Sequence, residues 1–508
     1  MFISIDQWKR VLPSFFFLAG ACLASHCAWS AGYYTTKTTY QPQQRLATYE
    51  PVPNGFVPIH TQLVARHGSR GLSGMKADVA LLNLWKLAQQ QNALTPLGER
   101  LGPQLEKLIE VNALLGYGVL SSPPGYGNLS LRGVQEHEAL AQRMLQRLPS
   151  LFAQIEDAAM TSSVPAIRVQ HSGVNRAKDS AQSFVNSLVN QKPKLKPLID
   201  SPTVDRFLLY FHRLNERTDA ANKVSNQNAK TFKSSLAYQA YSKSVRVSSK
   251  VDSIQNSDDM RSAAKSVLSR LFKPAFLESL QNGKLSASNT GKFSFKTKDG
   301  LYQAQLEGDG RTQIRTPIDA LLALSSVYEI APSLQHELGF DFDAYFTTSE
   351  AKVVAEANDA EDFYVKGPGI AEDEPVNHAM AEGLLQDFFE QIKKTNQSTL
   401  GASVSLRFTH AEIIVPFASI LKISALTNPL PFSQSYSYAK SDWRGELVAP
   451  FAANVQWDTF RNSQGSLIVR MLYNEKETNF KPQCNSAKLH SQSYFYEFNA
   501  LKTCYLAQ

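Results

Sequence analysis

Hydrophobic and polar positions along the chain repeat one order three times: a strand, a short polar loop and a helix. The three copies cover residues 56–88, 166–188 and 404–421. In each copy, apolar residues follow a strand pattern before the loop and recur at helical spacing after it. The carboxyl ends of such strands lie along one edge of a doubly wound sheet, where residues far apart in sequence meet. The pattern therefore predicts an α/β fold with a doubly wound sheet core.

Further elements are predicted around these three units. A helix begins near Pro96 and carries leucines at helical spacing, but Gly102 and Pro103 are expected to bend or break it. Another helical pattern follows Ser130, and the apolar run 467–472 is typical of a core strand.

Between about 207 and 391 the pattern changes to polar helices rich in Ser, Lys and Asn, which indicates an inserted, mainly helical cap. Asp299 and Gly300 separate two runs with aromatic residues and predict a hairpin within it. The predicted division of the chain is a signal peptide at 1–30, a loosely held, flexible arm at 31–52, the first part of the α/β core at 53–206, the inserted cap at 207–395 and the second part of the core at 396–508.

The first residues have the composition of a cleaved secretory signal. Lys9 and Arg10 precede the apolar run 11–24, and small residues follow as far as Ser30, where cleavage is expected. An alternative is a lipoprotein acylated at Cys22. No later apolar run is long enough to span a bilayer. The sequence thus predicts a protein exported to the periplasm or the medium, without a transmembrane segment.

Cysteine usage agrees with export. Two of the 4 cysteines lie in the predicted signal, which leaves Cys484 and Cys504 for the mature chain. In an exported protein these two are expected to form a disulfide, with two free thiols as the alternative.

The overall charge suits an anionic ligand. The formal net charge is +7, and a content of 43% hydrophobic and 19% charged residues is ordinary for a globular protein. Nucleic acid is a weak alternative, because the sequence has no clustered basic residues with interleaved aromatics and no zinc-finger spacing.

The loop of the first unit carries the residues with the clearest chemistry. Arg66 and Arg70 flank His67 directly after a strand, where backbone N–H groups and a helix start favour an anion. Guanidinium groups match phosphate oxygens, and a neutral imidazole between them has a lowered pKa and a free lone pair. This arrangement predicts a nucleophile in a phosphate cradle, against the alternative of three chance surface residues. The second and third units deliver Arg176 and His410 to the same edge.

Together these motifs resemble the histidine acid phosphatase family. The resemblance rests on the first loop, on Arg176 with its following helix, and on His410-Ala411-Glu412. A His-Ala-Glu third motif is similar to the multiple inositol polyphosphate phosphatase branch, and further matches to that branch are segments 366–369, 449–454 and 469–475. The resemblance covers about 55–484 and implies a phosphoglycerate-mutase-like core. One departure is Leu72, where the family usually has proline.

The resemblance also implies a role for each motif. His67 would attack phosphorus and form a phosphohistidine, while three arginines, Arg66, Arg70 and Arg176, hold the phosphate oxygens. His410 would donate to the same phosphate. Glu412 would protonate the departing alkoxide and later take a proton from water, with its pKa raised by the surrounding phosphate anions. The implied substrates are phytate and other inositol polyphosphates, and no metal or cofactor is implied.

Several alternatives stay open at this stage. The protein could be a broad-specificity phosphatase of smaller esters, a phosphoglycerate mutase, which shares the first motif, or an exported anion-binding protein without catalysis. Lys76 and Lys178 follow the cradle loops and could contact outlying phosphates, although solvated lysines are the simpler interpretation. Three further histidines are interpreted as structural or exposed: His137, His171 and His378.

Overall fold

A mixed sheet forms the centre of the protein, and one further hairpin lies outside it. The computed structural model describes residues 32–158, 166–222, 225–397, 402–423 and 426–506. The strands in these ranges are β1 (Val57–Arg66), β2 (Ile167–His171), β3 (Thr203–Val204), β4 (Ala287–Lys296), β5 (Gln303–Ile314), β6 (Val404–Thr409), β7 (Asn454–Arg461), β8 (Leu467–Tyr473), β9 (Lys476–Thr478) and β10 (Phe495–Glu497).

Helices make up most of the remaining chain. The α-helices in the described ranges are α1 (Ala77–Gln90), α2 (Pro96–Leu114), α3 (Leu131–Arg147), α4 (Pro149–Ala158), α5 (Asn175–Gln191), α6 (Arg206–Leu209), α7 (Glu216–Asp219), α8 (Asn226–Tyr241), α9 (Val245–Gln255), α10 (Asp258–Ser269), α11 (Pro274–Gln281), α12 (Pro317–Ile330), α13 (Gln335–Leu338), α14 (Thr348–Val365), α15 (Glu382–Gln397), α16 (Ala411–Ile420), α17 (Gly445–Val448) and α18 (Phe498–Leu506). Short 3₁₀ helices are at Thr35–Lys37, Leu46–Thr48, Pro193–Leu198, Phe211–Arg213, Ala220–Asn222, Ala331–Leu334, Asp343–Tyr345, Ala371–Asp373, Ala379–Ala381 and Pro482–Ala487.

The strand order of the sheet is β10-β8-β7-β1-β6-β2-β3, with β9 paired to β8. Strands β1, β6, β2 and β3 are parallel, whereas β7, β8, β9 and β10 pair in antiparallel fashion. The predicted α/β class is confirmed, and the predicted strands at 166–169, 404–408 and 467–472 are present as β2, β6 and β8. Only one half of the sheet has the parallel order of the doubly wound prediction.

Both faces of the sheet are covered. Along β1, Val64 belongs to one apolar cluster with α15, α16 and α18, whereas its neighbours Leu63 and Ala65 belong to another with α3, α4 and α5. Alternate residues of a strand point to opposite faces, so this central strand is buried on both sides. Its loop is therefore fixed in the middle of the sheet edge.

A separate apolar cluster joins parts of the chain that the sequence assigns to different domains. It unites α1 and α2 with helices α10, α12 and α14, over residues 79–115 and 260–357. In contrast, α15 packs on the sheet. The predicted division at 207 and 395 does not coincide with these clusters, because helices pack by their apolar faces and not by their order in the chain.

The expectation of a bent or broken second helix is wrong in one respect, since α2 runs without interruption through Gly102 and Pro103. A Cβ atom at Gly102 would lie 2.3 Å from the ring of Trp85. Glycine therefore serves close packing between α1 and α2. The indole Nε1 also donates to the carbonyl oxygen of Gly98 at 2.7 Å.

Residues 33–40 are packed against the rest of the protein, so the prediction of a loosely held arm at 31–52 is wrong for this part of the segment. Tyr40 is buried, and its hydroxyl donates to Glu475 at 2.9 Å. Thr36 is also buried and donates through Oγ1 to Asp362 at 3.1 Å. Carboxylates from distant segments thus hold this polar segment, whose sequence shows no periodic pattern of hydrophobic residues.

Three other expectations concern the cap and the chain ends. Strands β4 and β5 form the predicted antiparallel hairpin, with Gly300 in its turn at φ +74°. Cys484 and Cys504 form the predicted disulfide. The predicted signal peptide and Cys22 lie outside the described residues. Within the described ranges, none of the helices has the length and apolar composition needed to cross a membrane.

Candidate active site

The strand register brings the predicted residues together at one edge of the sheet. Arg66 at the end of β1 pairs with Thr409 at the end of β6, and His171 of β2 pairs with Phe408. The hydrogen bonds continue one residue further, since the backbone N–H of His67 donates to the Thr409 carbonyl at 2.8 Å. The three loops that follow these strands are therefore neighbours, as the sequence predicts.

The loop that carries His67 is held by backbone contacts. The N–H of Gly68 donates to Ser180 Oγ at 3.1 Å, and that hydroxyl donates to the Arg176 carbonyl at 2.8 Å. A Cβ atom at Gly68 would lie 2.4 Å from the carbonyl oxygen of Gly133 in α3. One serine thus links the first loop to the first turns of α5, and α3 lies directly against that loop.

Ser69 is fixed by a buried carboxylate that sequence reasoning missed. Glu136 of α3 accepts from the Ser69 N–H at 2.6 Å and from its hydroxyl at 2.7 Å. The same carboxylate accepts from the N–H of Tyr40 at 2.9 Å. Burial raises the pKa of Glu136, although these three hydrogen bonds act in the opposite direction. No motif in the sequence marks this residue.

The geometry of His67 defines its tautomer. Its Nδ1 lies 2.9 Å from the carbonyl oxygen of Gly68, and a carbonyl can only accept a hydrogen bond. Nδ1 therefore carries the proton, and Nε2 carries the lone pair. Burial, followed by the charges of Arg176 and Arg66, holds the pKa of His67 well below its ordinary value. The imidazole is neutral and has a nucleophilic nitrogen.

The cradle arginines are held mainly by carbonyl oxygens. Arg66 donates through Nη1 to the carbonyls of Ala449, at 2.5 Å, and Thr36. Arg70 donates to the Gly71 carbonyl at 2.6 Å. Within the described part of the chain, the Nε atoms of Arg66, Arg70 and Arg176 are buried without a hydrogen-bond partner. These groups keep both their charge and donors for an anion.

The pKa values of Arg66 and Arg70 are lowered partly because the positive charge of Arg176 lies nearby. Burial lowers the pKa of Arg66 to about 10 and that of Arg70 to about 9, and the charge of Arg176 acts in the same direction on both. Three cations share a small volume, so an anion bound between them would relieve their mutual repulsion.

His410 lies beside His67, with their ring centroids 5.5 Å apart. Its Nε2 is 2.8 Å from Ser172 Oγ, and its Nδ1 is buried without a hydrogen-bond partner among the described residues. Burial has the largest effect on the pKa of His410 and the charge of Arg176 the second largest, and both hold that pKa well below its ordinary value. His410 occupies the N-cap position of α16, but its side chain makes no capping hydrogen bond.

Glu412 lies in the first turn of α16 and is half-buried. Burial is the largest single effect and acts to raise its pKa, but the charge of Lys366, together with His212, His410 and a backbone hydrogen bond, holds the pKa of Glu412 well below its ordinary value. The raised pKa expected from the sequence depends on phosphate anions, whereas in the protein alone the neighbouring charges are positive. Glu412 is thus ionised in the protein alone.

The outlying cations differ from those chosen by sequence reasoning. Lys76 is exposed at the start of α1, where its charge acts on Asp309 of the hairpin. Lys178 is exposed on α5, and its charge acts on His171. Lys366, in contrast, acts on Glu412, and the only sequence signal for it is the matched segment 366–369.

Leu72 and the remaining histidines can also be placed. The N–H of Leu72 donates to Asn112 Oδ1 at 2.7 Å, a bond that proline could not make. His137, His171 and His378 are buried, and the N–H of Gly173 donates to His171 Nδ1 at 3.1 Å. Another buried histidine, His212, has its ring centroid 6.1 Å from that of His410.

Taken together, this edge of the sheet presents three guanidinium groups, two neutral imidazoles and one carboxylate. A set of this kind can bind a small, highly charged anion, and the lone pair of His67 and the carboxylate of Glu412 are groups capable of nucleophilic and acid–base chemistry.

Comparison with known proteins gives an independent result. The family model described as histidine phosphatase superfamily (branch 2) matches residues 59–474. The chain is 20% identical over 500 residues to multiple inositol polyphosphate phosphatase 1 of Gallus gallus, an alignment that covers 94% of this chain and 92% of that protein. A shorter match to the Homo sapiens protein of that name is 26% identical over 144 residues and covers 26% of this chain and 28% of that protein.

Solved structures agree with this result. The multiple inositol polyphosphate phosphatase of Bifidobacterium longum, in complex with inositol hexasulfate, is 29% identical with a TM-score of 0.79, and the match covers 94% of this chain and 97% of that one. Its phosphate complex gives a TM-score of 0.81 at the same identity and coverage. The phytase from D. castellii, at 13% identity and a TM-score of 0.58, covers 94% of this chain and 84% of that one and shares the fold.

Proposed function

The chain belongs to the histidine phosphatase superfamily (branch 2), and from this we propose that it is a phosphomonoesterase that hydrolyses phytate and other inositol polyphosphates through a phosphohistidine. The observation that carries the proposal is the tautomer of His67. Its Nδ1 donates to the Gly68 carbonyl, so Nε2 presents a lone pair within a group of three arginines. The names of the relatives from Gallus gallus and Bifidobacterium longum support the substrate class.

In the first step, the lone pair of His67 Nε2 attacks phosphorus and forms a P–N bond. The bond from phosphorus to the inositol oxygen breaks, and Glu412 gives its proton to that oxygen. Arg66, Arg70 and Arg176 stabilise the charge on the phosphoryl oxygens, which is the main requirement of phosphoryl transfer. His410 adds a hydrogen bond to the same oxygens.

In the second step, water attacks the phosphohistidine. Glu412, now a carboxylate, takes a proton from this water as the P–N bond breaks and inorganic phosphate forms. His67 and protonated Glu412 are thereby restored.

The protonation of Glu412 supports a highly charged substrate. In the protein alone, Lys366, His212 and His410 together keep the pKa of Glu412 well below its ordinary value against the effect of burial. A substrate with several phosphates brings negative charge to the same place and raises that pKa. An inositol polyphosphate would therefore create the acid that its own cleavage needs.

Export is part of the proposal. It is supported by the secretory pattern of the first 30 residues and by the disulfide between Cys484 and Cys504. Cleavage near Ser30 places the mature protein in the periplasm or the medium, and lipid attachment at Cys22 is the alternative.

The direct test compares the natural protein with His67→Ala. We expect phosphate release from phytate in the natural protein and none in the variant, with an unchanged melting temperature because His67 lies in a loop. Acid quench with radiolabelled substrate should trap label in the natural protein only. His378→Ala, which removes another buried histidine, is the control and should keep the label. Label that persists in His67→Ala would contradict the assignment.

A second test addresses Glu412. An inositol alkoxide needs a proton to leave, whereas nitrophenolate leaves unaided, so Glu412→Gln should lose far more activity on phytate than on p-nitrophenyl phosphate. Equal losses on both substrates would show that Glu412 binds phosphate or maintains the site. Phosphate binding without any turnover would favour the anion-binding alternative.

A further inference from the structure

Segment 449–454, which follows α17, lies directly against the loop that carries the nucleophile. The N–H of Ala452 donates to the His67 carbonyl at 3.0 Å, and the Ala453 carbonyl accepts from the N–H of Arg66 at 2.8 Å. Ala452 is in the left-handed region at φ +53°, a conformation that costs energy for a residue other than glycine. The backbone is therefore bent at the point where it meets the loop.

This bend brings the buried ring of Phe451 under the arginines. The Cζ atom of Arg66 lies 4.5 Å from the ring centroid, and that of Arg70 lies 6.0 Å from it. The ring centroid of His67 is 5.9 Å away. One aromatic ring thus contacts the nucleophile and two of the three cradle cations.

An aromatic ring solves an electrostatic problem that a carboxylate cannot. In addition to burial, the charges of Arg176 and Arg66 lower the pKa of Arg70, and the charge of Arg176 lowers that of Arg66, so both guanidinium groups benefit from a stabilising partner. A carboxylate would neutralise the charge that attracts phosphate. The negative face of a ring attracts a guanidinium without adding a formal charge, and the attraction increases when both groups are desolvated.

The same kind of stack elsewhere in the protein shows the contrast. Arg407 lies over Phe388 with its Cζ 4.6 Å from the ring centroid, but it is also paired with the carboxylate of Asp387. In the described ranges, no salt bridge is formed by Arg66 or Arg70. The ring of Phe451 therefore takes the place, for Arg66 and Arg70, that a carboxylate has for Arg407.

We propose that Phe451 is a positioning residue, whose ring holds the guanidinium groups of Arg66 and Arg70 in the orientation that receives a phosphoryl group. The proposal rests on the proposed function for the identity of the anion. It concerns the strength of anion binding as well as turnover.

The test replaces Phe451 by mono-, di- and trifluorinated phenylalanine, which weaken the negative face of the ring with little change in its size. The first readout is the affinity for inorganic phosphate by calorimetry, and the second is kcat/KM on p-nitrophenyl phosphate. We expect both to fall with each added fluorine, by about three- to tenfold for the trifluorinated ring. Phe451→Leu, which removes the ring and leaves a smaller apolar side chain, should bind phosphate at least as weakly.

The matched control is the same fluorinated series at Phe388, where we expect phosphate affinity to stay unchanged. Phosphate affinity that is flat across the series at 451 would overturn the proposal, as would an equal loss for every fluorinated ring, which indicates packing. If the natural protein hydrolyses no phosphate ester but its phosphate affinity follows the series, the proposed function fails and the positioning role stands.

Discussion

At the scale of single residues, the candidate active site depends on how each charged group is held. Arg66 and Arg70 donate to carbonyl oxygens, whereas Arg143 and Arg147 donate to the carboxylates Glu475 and Asp458. Carbonyl partners fix a guanidinium and leave its net charge in place. The cradle therefore stays cationic, while Arg143 and Arg147 are neutralised by their carboxylate partners.

Glu136 illustrates a position where a carboxylate cannot be replaced by an amide. Its two oxygens accept from two backbone N–H groups and one hydroxyl. In Glu136→Gln, one orientation of the amide points NH₂ at the Ser69 N–H and the other points it at the Tyr40 N–H. We expect a loss of about 1 to 3 kcal/mol, seen in the free energy of unfolding and in kcat. Glu138→Gln on the same helix is the control, and an unchanged Glu136→Gln would contradict this account.

Lys366 is the charged group that lowers the pKa of Glu412 most, and its removal is expected to change the pH range over which Glu412 is protonated. A nearby cation stabilises a carboxylate, so Lys366→Met raises the pKa of Glu412 and lets it keep its proton to higher pH. The alkaline limb of kcat on phytate should therefore move upward, by about one pH unit. The alkaline limb of p-nitrophenyl phosphate hydrolysis, whose leaving group needs no acid, should keep its position.

The control for this shift is Lys76→Met, which removes an exposed lysine from the start of α1. A limb that moves to lower pH in Lys366→Met, or moves equally in both variants, would refute the role of Lys366.

At the scale of elements, α3 is the least expected contributor to the site. The sequence predicts it only as a helix after Ser130, but it supplies Glu136 and packs its backbone on the loop that carries His67. The closest approach is at Gly133, where a Cβ atom would lie 2.0 Å from the Ser69 carbonyl oxygen. A helix can come this near a loop only where the side chain is absent.

Gly133→Ala should therefore displace the loop. We expect the free energy of unfolding to fall by about 1 to 3 kcal/mol, as for other overpacked positions, together with a loss of kcat. The control is Gly74→Ala, where a Cβ atom would meet only Lys76 Cε, at 3.9 Å, and both quantities should stay unchanged. Full activity in Gly133→Ala, measured alongside thermal denaturation, would show that α3 does not determine the loop position.

At the scale of the whole molecule, the N-terminal and C-terminal segments contribute differently. The segment after residue 32 reaches the site, since the Thr36 carbonyl accepts from Arg66. The C-terminal helix α18 is joined to the Pro482–Ala487 turn by the disulfide and packs on the cluster of α15 and α16. Its contribution is to stability.

Replacement of both cysteines, Cys484→Ser with Cys504→Ser, tests this separation. Removal of a cross-link over a separation of 20 residues should lower the free energy of unfolding by on the order of 3 kcal/mol. Turnover of phytate at moderate temperature should be unaffected, because the disulfide lies away from the strand ends. Urea denaturation of the pure protein, followed by fluorescence, measures the free energy of unfolding. A loss of kcat in protein that is still folded would contradict the expectation that turnover is unaffected.

The sequence alone determined the parts of this protein that depend on local pattern. Strand-loop-helix order placed His67, Arg176 and His410 at strand ends, and parallel pairing then requires those ends to meet. Turn residues determined the hairpin in the same way, because Asp299 and Gly300 suit a tight turn whatever surrounds them.

Only the tertiary structure decided the features that arise from contacts between distant segments. Glu136, Phe451 and Lys366 reach the site from three separate parts of the chain, and no periodicity marks them. Helices α1 and α2 pack with the cap helices because their apolar faces fit together. The helix α2 continues through Gly102 because this glycine packs closely against Trp85 of α1. The pKa of Glu412 likewise follows from the charges around it, which are fixed only when the chain has folded.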